Sequence, residues 1–167
     1  MRENSPKLRI LFSRTPGTEL DAFRIKSEVR TAVRTALACE GFEGDAEVSV
    51  TFADGEYIRQ LNREHRNTDR VTDVLSFPIY EREELLAAPS GMPVMLGDIV
   101  ICLDRAAEQA KEVGNTLLEE ISFLAVHSTL HLLGYDHEKS EEEDELQCSH
   151  QRMIVKEIKR LKGGLEK

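Results

Sequence analysis

Apolar and polar positions repeat with two different periods along this chain, and the switches between them mark out its elements. Positions 8–12 form a short β-rich run. From 19 to 39 the spacing becomes helical, through Leu20, Phe23, Ile25, Val29, Val33 and Leu37. Positions 47–52 alternate Glu-Val-Ser-Val-Thr-Phe, the pattern of a strand with one face buried. Asp54-Gly55 reads as a turn, and 56–65 as a short helix carrying Ile58 and Leu61 inward. An extended run over 73–77 is stopped by Pro78. The stretch 81–95 is polar, then rich in Ala, Pro, Ser and Gly, and reads as a variable loop or hairpin tip. Positions 98–103 are nearly continuously apolar, which predicts a central strand. Helical spacing over 105–113 ends at Gly114.

The segment 117–133 is apolar almost all round, so it predicts a helix buried on most sides. A last helix is expected from Ser140 to about Lys162, where Ser140 and Glu143 stand at capping-box spacing. No repeat, low-complexity linker or second domain interrupts the order. Residues 1–167 therefore read as one domain of the α+β class, a single mixed sheet packed with helices.

Composition adds bounds. Charged residues are 32% and hydrophobic ones 40%, ordinary for a globular domain. No apolar run approaches the ~20 residues that span a bilayer, and the first residues lack the apolar stretch of a secretion signal. Cys39, Cys102 and Cys148 are odd in number and far apart, which suits free thiols and a reducing, cytoplasmic setting. A net charge of −9 speaks against nucleic acid at first. Much of it, however, lies in the run Glu-Lys-Ser-Glu-Glu-Glu-Asp-Glu at 138–145, where acids favour the start of the last helix.

The chemistry concentrates in the buried helix. Three of the five histidines, His127, His131 and His137, fall between positions 127 and 137. Residues four apart on a helix share a face, so His127 and His131 project together. Gly134 supplies the left-handed conformation that ends a helix, and the returning chain can bring His137 toward the pair. Two ligands from a helix and one from a turn leave a fourth tetrahedral position open, as in a catalytic rather than a structural zinc site. Histidines on so apolar a helix also need a partner, and a divalent metal supplies one. Glu120 shares their face two turns earlier, but it stands in the first turn and reads as a helix-start residue.

Three stretches carry a resemblance to a known family. The histidine segment His127-Ser128-Thr129-Leu130-His131-Leu132-Leu133-Gly134-Tyr135-Asp136-His137 resembles the signature of the YbeY family of single-strand-specific, metal-dependent endoribonucleases. The stretch from Leu61 to Pro78, with Asn62-Arg63-Glu64-His65-Arg66 and Asp73-Val74-Leu75-Ser76-Phe77-Pro78, is similar to that family's other hallmark. Leu96-Gly97-Asp98-Ile99-Val100-Ile101 is a third match, in the expected order. The resemblance implies a zincin-like fold, one zinc per chain on His127, His131 and His137, and a functionally important arginine at Arg66. It also implies single-stranded RNA as substrate, with ribosomal RNA and ribosomal particles as partners. The implied role is 16S rRNA 3′-end maturation and 70S ribosome quality control. Ser128 stands where the family usually has glycine. His65 stands where it often has tyrosine, and is open as an added site group or a surface stacking residue.

Two rival functions share features of the sequence. The spacing of the three histidines and Gly134 coincides with that of metzincin proteases, which need a glutamate directly after the first histidine to deprotonate water. Here that position is Ser128, a hydroxyl with no useful basicity near neutral pH. A non-catalytic, zinc-stabilised ribosome-associated module would need a fourth protein ligand such as Asp136 or a cysteine. Arg59, Arg63, Arg66 and Arg70 favour a phosphodiester substrate, because a guanidinium meets phosphate oxygens in a two-point contact. For Arg59 and Arg63 a solvated helix face is an equal alternative. Asp73, Asp136 and His65 are candidates for the general acid or base, with Asp73 and Asp98 alternatively organising the fold near the cleft.

Overall fold

The computed structural model describes residues 5–18, 22–87 and 91–165. Their order is β1 (Leu8–Arg14), α1 (Ala22–Cys39), β2 (Ala46–Ala53), α2 (Gly55–Arg66), β3 (Val74–Pro78), α3 (Arg82–Leu86), β4 (Val94–Cys102), α4 (Leu103–Val113), α5 (Leu117–Leu132) and α6 (Glu141–Leu165). The strands form one mixed sheet in the order β1-β2-β4-β3. β1, β2 and β4 are parallel, and β3 runs antiparallel to β4 as an edge strand. The fold is therefore α+β, as the pattern of elements implied.

Alternation along the strands divides the apolar side chains between two faces. Val48, Val50, Phe52, Ile99 and Ile101 are almost wholly buried on the face covered by α1 and α5, where they meet Val29, Val33, Ile121, Leu130 and Leu132. Ile154 and Ile158 of α6 close that core. Val100, Cys102 and Leu75 point the other way and join Ala53 and Ile58 in a smaller cluster under α2. α5 is thus sealed between the sheet and its neighbouring helices, the physical reason its sequence is apolar nearly all round.

Two local expectations differ in the structure. Asp54-Gly55 is a helix start: Asp54 is the N-cap of α2, its Oδ1 accepting from the Tyr57 N–H at 2.8 Å. A side-chain oxygen capping an orphan amide explains why Asp-Gly here begins a helix and not a turn. The expected loop over 81–95 contains the short helix α3, whose Glu81 and Glu84 form a capping box, and ends in the first residues of β4. Positions 19–21 of the first predicted helix and 88–90 of that loop lie outside the described residues.

Two glycines are required by close approach. Gly97 has φ +147°, and a Cβ there would lie 2.3 Å from the Phe77 carbonyl oxygen and 2.9 Å from Leu132. It lets β3, β4 and the end of α5 meet. Gly134 has φ +103°, and a Cβ would lie 2.7 Å from that of Arg82. Only glycine is comfortable with such a φ, so the chain reverses there, just after His131.

Candidate active site

A polar cavity of about 300 Å³ opens beside β3, between the loop that follows α2 and the end of α5. His127, His131 and His137 line it together with Arg66, Arg70, Asp73 and Glu138. The turn at Gly134 does bring His137 back: its ring centroid lies 5.3 Å from that of His127 and 6.3 Å from that of His131. All three imidazoles are half-buried.

Their environments suit the ligand form. Burial pushes the pKa of His127 down, an effect its hydrogen bond to Gln151 opposes. Burial also lowers that of His131, with the nearby positive charge of Arg66 acting in the same direction. Both rings are thereby held neutral at neutral pH, as a metal ligand must be. Gln151 Oε1 lies 3.2 Å from His127 Nδ1. Accepting the Nδ1 proton there leaves the Nε2 lone pair available for a ligand contact. His137 Nδ1 is buried without a hydrogen-bond partner among the described residues. Among the described residues no group of three or more His, Cys, Asp or Glu side chains is drawn up as a ready metal site. The donor chemistry nevertheless fits a divalent transition metal, since three imidazoles face one cavity and one has an orphaned ring nitrogen.

The arginines separate into two kinds. Arg59 donates from Nε and Nη2 to Asp69 at 2.9 and 3.3 Å, so it staples the loop to α2 away from the cavity. Arg63 does not line the cavity either. Arg66 Nη1 reaches Glu138 Oε1 at 3.5 Å, an exposed and long contact next to His137. Arg66 and Arg70 are the two guanidiniums on the cavity wall.

The acids have structural partners. Asp73 Oδ1 accepts from the Val74 N–H at 2.8 Å, and Oδ2 accepts from Gln109 Nε2 at 3.0 Å. Gln109 also donates to Glu120 Oε1 at 2.7 Å. Glu120 is 3% exposed and takes a further amide from Asn115. It is thus more than the helix-start residue its position suggested: with Gln109 it ties α5 and α4 to the strand that borders the cavity. Asp136 Oδ1 accepts from the Glu138 N–H at 3.0 Å and shapes the turn that carries His137. Asp98 is exposed on β4, with Phe77 as its cross-strand partner. His65 lies edge-on to Phe77 at 5.1 Å, outside the cavity lining, which makes it a stacking residue.

The sequence did not single out Gln147 and Gln151 of α6, although a signal was present. Gln147, Gln151, Ile154 and Ile158 fall on one helical stripe, and the two glutamines are 1% and 4% exposed. Polar residues on a buried stripe need partners; Gln151 finds His127 Nδ1 and the Phe123 carbonyl, and Gln147 Nε2 the His127 carbonyl, while Gln147 Oε1 has none among the described residues.

A family profile described as endoribonuclease YbeY matches residues 12–159. A protein of Bacillus cereus named endoribonuclease YbeY is 48% identical over 122 residues, covering 72% of this chain and 78% of its own. One of the same name from Staphylococcus carnosus is 50% identical over 116 residues, covering 70% and 74%. The solution structure of TM1509 from Thermotoga maritima is similar with a TM-score of 0.59 and 28% identity, over 90% of this chain and 88% of the other.

Proposed function

This chain belongs to the endoribonuclease YbeY family, and from that premise we propose that it cleaves single-stranded RNA in the cavity lined by His127, His131, His137 and Arg66. One observation carries the reading: three imidazoles and two guanidiniums face the same 300 Å³ space. Ligands for a Lewis acid and cations for a phosphodiester there stand together.

His127, His131 and His137 would hold zinc, one ion per chain. When bound, the metal supplies Lewis acidity, making a water more acidic and polarising a phosphate oxygen. The protein's own groups do the rest. Gln151 fixes the His127 ring and its tautomer. Arg66 offsets the negative charge that grows on the phosphate oxygens, a contact worth more in a half-enclosed site than in water. Glu138 holds Arg66 from outside until a phosphate replaces it. Asp73 keeps both oxygens engaged and acts as an organiser of the wall.

The protease alternative loses support at Ser128. In metzincins the residue after the first histidine is the base that acts on water. Ser128 is fully buried, and among the described residues its Oγ has no partner and no place in the cavity lining.

The substrate class we assign is ribosomal RNA, within 16S rRNA 3′-end maturation and 70S ribosome quality control in the cytoplasm. No helix of the described residues is long and apolar enough to cross a membrane. Incubating single-stranded fragments from the 3′ end of 16S rRNA with the protein, with and without chelator, tests the reading. Chelator-sensitive cutting supports it, and chelator-sensitive proteolysis of an unfolded protein without RNA cutting overturns it.

A further inference from the structure

We propose that Arg70 is a second phosphate-binding position, gripping the phosphodiester next to the one that is cleaved. The inference rests on the reading of the cavity as an RNA-cleaving site. It begins with Asn62, a buried polar residue, 4% exposed, on α2. Its backbone carbonyl accepts from the N–H groups of Asn67 and Thr68, the first of which is in the left-handed conformation at φ 53°. Its side-chain amide donates to the Arg70 carbonyl oxygen at 3.0 Å. One buried residue therefore fixes the loop at both its start and the point where Arg70 leaves it.

The outer side is fixed as well. Arg59 holds Asp69 in a two-point contact, so the acid beside Arg70 is already committed to another cation. Val71 packs against Gly55 at the start of α2. With the backbone held on three sides, the Arg70 side chain is exposed on the cavity wall and has no hydrogen-bonding or ionic partner among the described residues. The hydroxyls around it are engaged inward, Thr68 with the Arg66 carbonyl and Thr72 with Asp73.

Position separates the two arginines. Arg66 contacts Glu138, the neighbour of His137, and so belongs to the imidazole end. Arg70 lies four residues on, anchored through Asn62, with no hydrogen bond or ion pair to that turn among the described residues. A free guanidinium on a fixed loop meets phosphate oxygens bidentately at small conformational cost. A strand threaded past the imidazoles would present a neighbouring phosphate to it, which makes Arg70 a determinant of strand binding and not of the bond-breaking step.

The test compares wild type with Arg70→Ala on a single-stranded oligonucleotide with a mapped cut. We expect KM to rise about tenfold with kcat unchanged, and the salt slope of binding to fall by about 0.7, the share of one contact to a single strand. Phosphates flanking the cut are then made neutral one at a time as methylphosphonates. One replacement should raise KM in the wild type as much as Arg70→Ala does, and should add nothing in that variant. Arg70→Lys should recover part of the loss, and the melting temperature should not move. An unchanged KM, or a replacement whose effect adds in full at every position, overturns the assignment of Arg70 alone. Absence of RNA cutting by the wild type overturns the reading beneath it.

Discussion

Gln151 and His127 meet across the α5–α6 interface, with Oε1 of the amide 3.2 Å from Nδ1 of the ring. The glutamine is 4% exposed, and its Nε2 donates to the Phe123 carbonyl at 3.3 Å. The amide is thus oriented by the backbone of the helix whose histidine it holds. Where the ring donates from Nδ1, that contact leaves Nε2 of His127 free, and it brings α6 behind the cavity wall without lining the cavity.

Removing the contact should loosen the ion and leave the fold. Gln151→Leu is expected to weaken zinc binding by ~10–100-fold, the usual effect of deleting a group that orients a ligand histidine. Gln151→Glu keeps the acceptor toward His127 but loses the donor to the Phe123 carbonyl, so it should fall between Gln151→Leu and wild type. Titration calorimetry with zinc on the metal-free protein, alongside thermal melting, measures both. Equal zinc affinity in Gln151→Leu and wild type would deny the glutamine any orienting role.

Among the described residues Arg66 has one side-chain polar contact to lose, the exposed 3.5 Å contact with Glu138. Arg66→Ala should therefore leave melting and zinc content unchanged. Single-turnover cleavage at saturating RNA should fall by ~10²–10³-fold, roughly 3–4 kcal/mol of transition-state stabilisation. Arg66→Lys should recover only part, because an ammonium cannot make the two-point contact. A wild-type rate at saturation would reduce Arg66 to a binding residue, and loss of zinc would make it structural.

Gly134→Ala joins backbone strain to the site. The residue has φ +103°, and the new methyl would approach the Arg82 backbone to within about the 3.2 Å that separates it from the Arg82 Cα. The cost should be ~1–3 kcal/mol from the unfavourable φ alone. His137, three residues on, should be displaced, so zinc affinity falls more than stability does. Urea melting and zinc titration on the same sample check this, and a variant with intact zinc affinity would show that the turn does not position His137.

Much of this was legible in the chain. Alternation located β2, β-rich and extended runs located β1 and β3, a continuous apolar run located the second half of β4, and the apolar run 117–133 identified the helix on which the sheet packs. The spacing of His127, His131, Gly134 and His137 placed the cavity, because a helix face and a left-handed turn are local geometry. What escaped was non-local. Asp54 is the local exception: Asp-Gly suits a turn and a helix start alike, and the bond from the Tyr57 N–H to its side chain makes it the cap of α2. Arg59 shared a helix face with Arg63 and Arg66, but Asp69 draws it away from the cavity through a loop whose path the pattern does not encode. Glu120 has the position of a helix-start acid, and the partner that gives it a further role, Gln109, comes from a different helix and joins it to Asp73. Gln147 and Gln151 stand on an apolar stripe of α6, and their partners lie on α5, the His127 carbonyl for one and the His127 ring for the other.

Gln109 offers a test of that hidden network. Gln109→Leu leaves the Glu120 carboxylate with Asn115 alone, and it frees one oxygen of Asp73. Leaving buried acceptors without a donor costs about 1–3 kcal/mol, more where they are charged. Chemical denaturation should show that loss, with zinc stoichiometry unchanged. Unaltered stability would mean that the bridge between α4, α5 and β3 contributes nothing.

The central claim is that His127, His131 and His137 hold the metal on which RNA cleavage depends. The most direct measurement takes wild type and His131→Ala through elemental analysis and cleavage of one single-stranded RNA, before and after chelation and zinc return. The expected result is about one zinc in the wild type, cutting that chelation stops and zinc restores, and neither zinc nor cutting in the variant. A His131→Ala protein that retains full metal, or that cuts RNA at the wild-type rate, would contradict it.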